Sequence, residues 1–254
     1  MSESYYLHAR QLEEQELFQE AISEYTKATA AFPDDIRPLL GRANLQADMG
    51  LYLEAAADYT QALALDPYAA GAYAGRGDVY ASLGYHEKAV ADFTEALSLN
   101  PADDDVFYNR GLSYVALGKQ EEGAADFTEA LRLNPRHGAA YNNRGLLFAA
   151  QGRHEAALAD FTQALTVRKG FACSFNHRGR SFEALGDLQQ AIADYSGALE
   201  IAPDNTEALY RRGLAYAAQG DKSGAIDDFQ ALLRSAVAGH PYRELARQKI
   251  RDLS

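Results

Sequence analysis

The chain has 254 residues, with 24 Lys and Arg against 36 Asp and Glu, for a formal net charge of −12. That balance argues against general binding of nucleic acid or anionic membrane, both of which need clustered positive charge, while 47% hydrophobic residues are too many for a disordered chain. The one cysteine, Cys173, excludes an intramolecular disulfide and a cysteine metal cluster, no apolar run is long enough to cross a bilayer, and Met1 to Tyr6 lacks the pattern of a secretory signal. A cytoplasmic location is expected.

Prolines punctuate the chain. Pro33, Pro67, Pro101 and Pro135 are 34 residues apart, and Pro203 falls two such intervals beyond Pro135. In a frame of 34 that begins at Ser2, seven repeats cover 2–35, 36–69, 70–103, 104–137, 138–171, 172–205 and 206–239, and a tail covers 240–254. Each repeat is predicted to form two helices, over roughly phases 1–14 and 18–31. Phase 15 is Gly50, Gly84, Gly118, Gly152, Gly186 and Gly220, as suits a left-handed residue at a helix C-terminus. Proline at phase 32 ends the second helix.

Repeat one departs, with Glu16 at phase 15 and Leu12 at phase 11, where repeats three to seven carry an aromatic. Repeat five has Lys169 in place of the proline, a junction expected to be looser or differently angled. In the tail, Pro241 suits a first helical turn. Tyr242, Leu245, Ala246, Ile250 and Leu253 form one helical stripe, which predicts a capping helix over the last repeat.

Three columns hold most of the aromatics: phases 4, 11 and 24, the last being Tyr25, Tyr59, Phe93, Phe127, Phe161, Tyr195 and Phe229. All three are read as core that fills the space left by small residues at phases 8, 20 and 27. Phase 7 is Arg in repeats two to seven, and phase 23 is Asp in the same six; repeat one carries His8 and Glu24 instead. Because the acid tracks the base, the pair is read as a repeated ion pair between helices and not as a stripe for an anionic ligand.

The stretch Tyr108-Asn109-Arg110-Gly111-Leu112-Ser113-Tyr114, with Ala124-Ala125-Asp126-Phe127-Thr128-Glu129-Ala130-Leu131 and Asn134-Pro135, resembles the tetratricopeptide repeat (TPR) family. The likeness covers 2–239. It implies an all-α, right-handed superhelical solenoid of helix-turn-helix repeats whose concave groove binds peptides or proteins without catalysis. The family lines that groove with phases 2, 5, 6, 9, 12 and 13. On this chain the N-terminal part supplies Glu3, Tyr6, Arg10, Glu13 and Glu14, then Arg37, Leu40, Asn44 and Asp48. The third repeat is nearly bare, with Gly71, Ala74, Gly75, Asp78 and Ala81. From repeat four the lining becomes Tyr108, Asn109 and Leu112, then Asn142, Asn143 and Leu146, then Asn176, His177 and Arg180, then Tyr210 and Arg211.

These later residues are the expected peptide site. Asparagine carries both a donor and an acceptor and can bond a peptide backbone without reading its side chains. Asn176, His177, Arg180 and Arg211 could hold an acidic side chain or a C-terminal carboxylate, although Glu183 and Glu207 lie close enough in phase to be their partners instead. The six histidines form no i, i+4 pair; His86 and His154 share phase 17 in a turn expected to be exposed. Asp103, Asp104 and Asp105 read as a helix N-cap and first turn. No enzyme, cofactor or metal is expected. The leading expectation is a protein-interaction scaffold or adaptor; a self-associating structural protein and the regulatory subunit of an enzyme on another chain are the alternatives.

Overall fold

The computed structural model describes residues 2–167 and 172–253, and the side chains of Ser2 and Glu3 are not among those described. The Lys169 junction and its effect on the repeat lie outside the described residues.

Among the described residues there are fifteen α-helices and no strand. In chain order they are α1 (Ser2–Glu14), α2 (Phe18–Ala31), α3 (Ile36–Asp48), α4 (Tyr52–Leu65), α5 (Ala70–Ser82), α6 (His86–Leu99), α7 (Asp104–Ala116) and α8 (Gln120–Leu133). The remainder are α9 (Gly138–Ala150), α10 (His154–Val167), α11 (Ala172–Ala184), α12 (Leu188–Ile201), α13 (Thr206–Ala218), α14 (Lys222–Ser235) and α15 (Pro241–Leu253). The chain divides into two compact units between Asn134 and Pro135. Within each unit every helix packs on the next, and each odd-numbered helix also touches the following odd-numbered one. Each unit is therefore a stack of helix pairs, as in a helical solenoid, with the first helices side by side along one face.

The turn inside each pair follows from one backbone requirement. Gly50, Gly84, Gly118, Gly152, Gly186 and Gly220 have φ between 75° and 86°, a region that penalises a Cβ. The Leu51 N–H then donates to Gln46 O at 2.8 Å and the Gly50 N–H to Ala47 O at 3.0 Å, which satisfies carbonyls at the end of α3. Glu16 adopts the same left-handed geometry at φ 58°, and the Leu17 N–H donates to Leu12 O at 2.9 Å. Repeat one thus makes the same turn with a residue ill suited to it. Asp103 accepts from the Val106 N–H at 3.2 Å, with Asp104 and Asp105 in the first turn of α7, the expected cap.

The core is narrower than the aromatic columns imply. The phase 24 rings are its centre: Tyr25, Phe93, Phe127, Phe161, Tyr195 and Phe229 are 0% exposed and Tyr59 is 3% exposed. The aromatics of phases 4 and 11 from repeat three onward are only half-buried. They flank the phase 7 arginine: the Arg110 guanidinium lies 5.5 Å from the Phe107 ring and 5.8 Å from that of Tyr114, and Arg76 sits likewise between Tyr73 and Tyr80. At phase 11 of repeat two stands Gln46, buried with no partner for its Oε1.

The ion-pair reading of the arginine column holds. Arg42, Arg76, Arg110, Arg144, Arg178 and Arg212 each make two bonds, at 2.6–2.9 Å, to Asp58, Asp92, Asp126, Asp160, Asp194 and Asp228. The aspartates are buried, and the carboxylates keep the guanidinium groups of Arg76, Arg110, Arg144 and Arg212 more firmly protonated than usual. In repeat one the pair is His8 to Glu24, at 3.5 Å and largely exposed on the histidine side.

The same arginines make a second contact that the two columns do not announce. Arg42, Arg76, Arg110, Arg178 and Arg212 also donate to a hydroxyl of the preceding repeat: Thr26, Thr60, Thr94, Thr162 and Ser196, at 2.8–3.1 Å. Thr26, Thr60, Thr94 and Ser196 pass their own hydrogen to a carbonyl one helical turn back. Each of these arginines therefore closes its own helix pair and ties it to its neighbour.

Helix α15 packs on α13 and α14. Ala246 is fully buried, and Tyr242, Ile250 and Leu253 pack beside it. Leu245, expected in the same stripe, is 47% exposed, because it falls at the edge of the face centred on Ala246. Arg243 donates to Leu233 O and Ala236 O, both at 2.6 Å, so a cation satisfies carbonyls at the C-terminus of α14.

Candidate functional site

In the second unit, the first helices α9, α11 and α13 line a cavity of about 570 Å³. Leu146, Ala149 and Ala150 come from α9, His177, Arg180, Ser181, Glu183 and Ala184 from α11, and Arg211 from α13, while His154 and Phe161 of α10 close its floor. Four of the expected site residues, Leu146, His177, Arg180 and Arg211, are thus brought together. Room exists because Ala149, Ala150 and Ala184 end at Cβ.

Its charges are already paired. Arg211 donates from Nε to Glu207 Oε1 and from an Nη to Glu183 Oε2, both at 3.1 Å, and Arg180 lies 3.8 Å from Glu207. The Tyr195 hydroxyl donates to Glu183 Oε2 at 2.7 Å, and burial together with that carboxylate pushes its pKa up. The cluster expected to hold a carboxylate is therefore a compensated network in which Glu183 and Glu207 occupy the guanidinium groups.

Two asparagines do not face the groove. Asn142 is buried, and its Oδ1 accepts from Ser174 Oγ at 2.9 Å and lies 3.2 Å from His177 Nδ1. Asn176 is buried too; its Nδ2 donates to Asn205 Oδ1 at 3.3 Å and its own Oδ1 has no partner. Phase 5 lies at the seam where one first helix meets the next, so a polar side chain there is covered by the neighbouring repeat. Tyr210, at the same phase, is covered by α15: its ring stacks on Tyr242 with centroids 4.7 Å apart and planes 8° from parallel. Asn143 remains half-buried on α9.

The His177 ring lies 5.6 Å from that of Phe161. Burial and the nearby Arg180 charge hold its pKa below the usual histidine range, against a smaller opposing pull from Glu207. His154 is the first residue of α10, as His86 is of α6; both are half-buried with Nδ1 unpartnered, not exposed in the turn. Cys173 is exposed and free.

In the first unit, α7 carries the other three expected residues. Tyr108 packs on Phe127 with ring centroids 5.7 Å apart, Leu112 is 39% exposed, and Asn109 Nδ2 donates to Asp78 Oδ1 at 2.8 Å. Asp78 keeps exposed area on α5. Loss of surrounding water, and then the like charges of Asp105 and Asp103, raise its pKa to about 6 against the Asn109 bond. No helix of the described residues is long and apolar enough to cross a membrane.

What sequence reasoning missed is the hydroxyl column that receives the arginines. Its signal was present: threonine at phase 25 in repeats one to five and serine in repeat six, directly after the core aromatic.

Three family models match the chain: a tetratricopeptide repeat model over 108–171, a TPR repeat model over 77–118 and 179–220, and a second tetratricopeptide repeat model over 207–236. No curated protein matches in sequence. Among solved structures, YrrB, described as a TPR protein with an unusual peptide-binding site, is 29% identical. That match covers 73% of this chain and 95% of YrrB at a TM-score of 0.64. A tetratricopeptide repeat protein from Parabacteroides merdae is 20% identical over 99% of this chain and 98% of that one, with a TM-score of 0.68. The C-terminal part of a TPR repeat-containing protein from Cytophaga hutchinsonii is 16% identical over 96% and 99%, with a TM-score of 0.78. The latter two likenesses concern the fold alone. The 34-residue spacing, the paired helices with their left-handed turns and these matches agree: the chain belongs to the tetratricopeptide repeat family.

Proposed function

We propose that this chain is an interaction scaffold that captures an extended segment of a partner protein in the groove formed by α9, α11 and α13. The tetratricopeptide repeat is in general a non-enzymatic scaffold for protein interaction. The observation that carries the finer reading is the cavity of about 570 Å³, to which the first helices of three successive repeats contribute. A preformed concave site limits the ordering cost largely to the ligand. The likeness to YrrB, a TPR protein with a peptide-binding site of its own, supports the same reading. Leu146, Asn143, His177, Arg180 and Arg211 are the proposed contacts in this groove; Tyr108, Asn109 and Leu112 are proposed contacts on α7 of the first unit. A displayed library of random extended peptides, half with free C-terminal carboxylates, tests the proposal against wild type and a Leu146→Asp, Ala150→Arg variant. Enrichment of a shared motif that the variant loses is the expected result. No enrichment, or equal binding by the variant, would overturn it.

A further inference from the structure

We infer that the groove's cavity takes an aromatic side chain bearing a hydrogen-bond donor, an indole N–H or a phenol O–H, and that the donor meets His177 Nε2. The inference rests on the groove reading above and names the chemistry of its anchor.

Asn142 fixes the tautomer of the histidine. Its Oδ1 accepts from Ser174 Oγ and faces His177 Nδ1 at 3.2 Å. An amide oxygen offers only lone pairs, so Nδ1 must carry the ring hydrogen, and a neutral imidazole then leaves Nε2 as a bare acceptor. The ring stays neutral near pH 7 because burial and Arg180 depress its pKa. The other charged or titratable groups around the cavity are Glu183, Tyr195, Arg211, Glu207 and His154.

Charge matching weighs against the ionic alternatives. A partner carboxylate would meet guanidinium groups whose charge Glu183 and Glu207 already offset: Arg211 donates to both, and Arg180 lies 3.8 Å from Glu207. A partner ammonium would find those carboxylates already engaged. The rest of the lining is Leu146, Ala149, Ala150, Ala184 and the Phe161 ring, all apolar, with Ser181, whose hydroxyl donates to His177 O at 3.2 Å, and the volume admits a large flat side chain. Ring faces and edges already meet here, between Phe161 and His177, which suits a third ring. An occupant without a donor would shut Nε2 away from water unpaired, and that is penalised.

The test uses the full chain and NMR titration with three probes: N-acetyl-tryptophanamide, N-acetyl-phenylalaninamide and N-acetyl-aspartic acid α-amide. The tryptophan amide should perturb resonances of α9, α11 and α13 and bind about fivefold tighter than the phenylalanine amide. That advantage should vanish in His177→Phe, and also in wild type once acid protonates the ring, a readout that needs no substitution. The aspartate probe should not compete. Long-range nitrogen–proton correlation should show hydrogen on Nδ1 of His177. Equal affinity for the two aromatic amides, preference for aspartate, perturbation elsewhere or none, or hydrogen on Nε2 would each overturn the inference. If library peptides bind the groove but carry neither tryptophan nor tyrosine, this inference fails and the groove stands; if no peptide binds, the groove reading itself fails.

Discussion

Tyr59 in the first unit and Phe161 in the second occupy the same phase of the repeat but press on different neighbours. A Cβ on Gly75, in the following repeat, would stand 2.5 Å from the Tyr59 ring, whereas Phe161 crowds Gly145 of its own repeat at 2.8 Å. The cause is the residue at phase 8. Ala9 and Ala43 already fill that place in repeats one and two, so Tyr25 and Tyr59 lie against phase 6 of the next repeat, where Gly41 and Gly75 have no side chain. From repeat three onward phase 8 is Gly77, Gly111, Gly145, Gly179 and Gly213, and each is covered by its own ring. Phase 6 is then free to carry Asn109, Asn143, His177 and Arg211. Where the missing Cβ lies decides which repeats can carry a long side chain at phase 6.

The frame common to both regions should break alike, and by the most. Arg42→Ala in the first unit and Arg178→Ala in the second should each cost about 3–5 kcal/mol in denaturant melts, since a buried aspartate loses its partner. Arg178→Leu with Asp194→Leu should cost clearly less. Equal losses from the single and double changes would mean that the pair acts through packing alone. The exchange of glycine is tested next. Gly75→Asn alone should lose about 1–3 kcal/mol by overpacking against Tyr59. Adding Ala43→Gly and Tyr59→Phe should restore most of that loss. A triple variant as unstable as the single one would refute phase 8 as the origin of the contrast.

A smaller contrast lies in the turns. Glu16→Gly should raise stability by up to about 1 kcal/mol, and Gly186→Glu should lower it by about 1–2 kcal/mol, because only glycine takes the left-handed region without penalty. The smallest effect concerns the charge of Asp78 on α5. Asp78 has a folded-state pKa of about 6, raised from 3.8. The folded chain therefore binds more protons than the unfolded chain between those values, and the ionised carboxylate opposes folding above the upper one. Asp78→Asn, which keeps an acceptor for Asn109, should raise the Tm near pH 8 and leave it unchanged near pH 3. A gain of equal size at both would assign the effect to packing.

The helix pairs were legible because proline and glycine act through the local backbone, which sequence spacing reports directly. The arginine pairs were legible because Asp replaces Glu24 wherever Arg replaces His8. Asn142, Asn176 and Tyr210 misled for one reason: helical periodicity tells which residues share a face, not what the next helix lays over that face. Asn142 is covered from α11 by Ser174 and His177, and Tyr210 by Tyr242 of α15. The compensation of Arg211 likewise joins Glu183, from an adjacent repeat, with Glu207 on its own helix. The Glu207 contact is an i, i+4 pair that helical spacing reports; the Glu183 contact crosses repeats, and no spacing rule within one helix reports it.

The backward reach of the arginines has a consequence for how such a chain can change length. Arg42, Arg76, Arg110, Arg178 and Arg212 each find an aspartate within their own cassette and a hydroxyl at a fixed place in the one before. Among repeats two to six, which all carry the arginine, the aspartate and a threonine or serine, a gene duplication or deletion of a whole multiple of 34 residues would rejoin a donor to an equivalent acceptor. New junctions therefore arrive already complementary. The number of repeats can drift without a compensating substitution, while the chemistry of an individual cassette, such as the one that carries His177, is free to specialise.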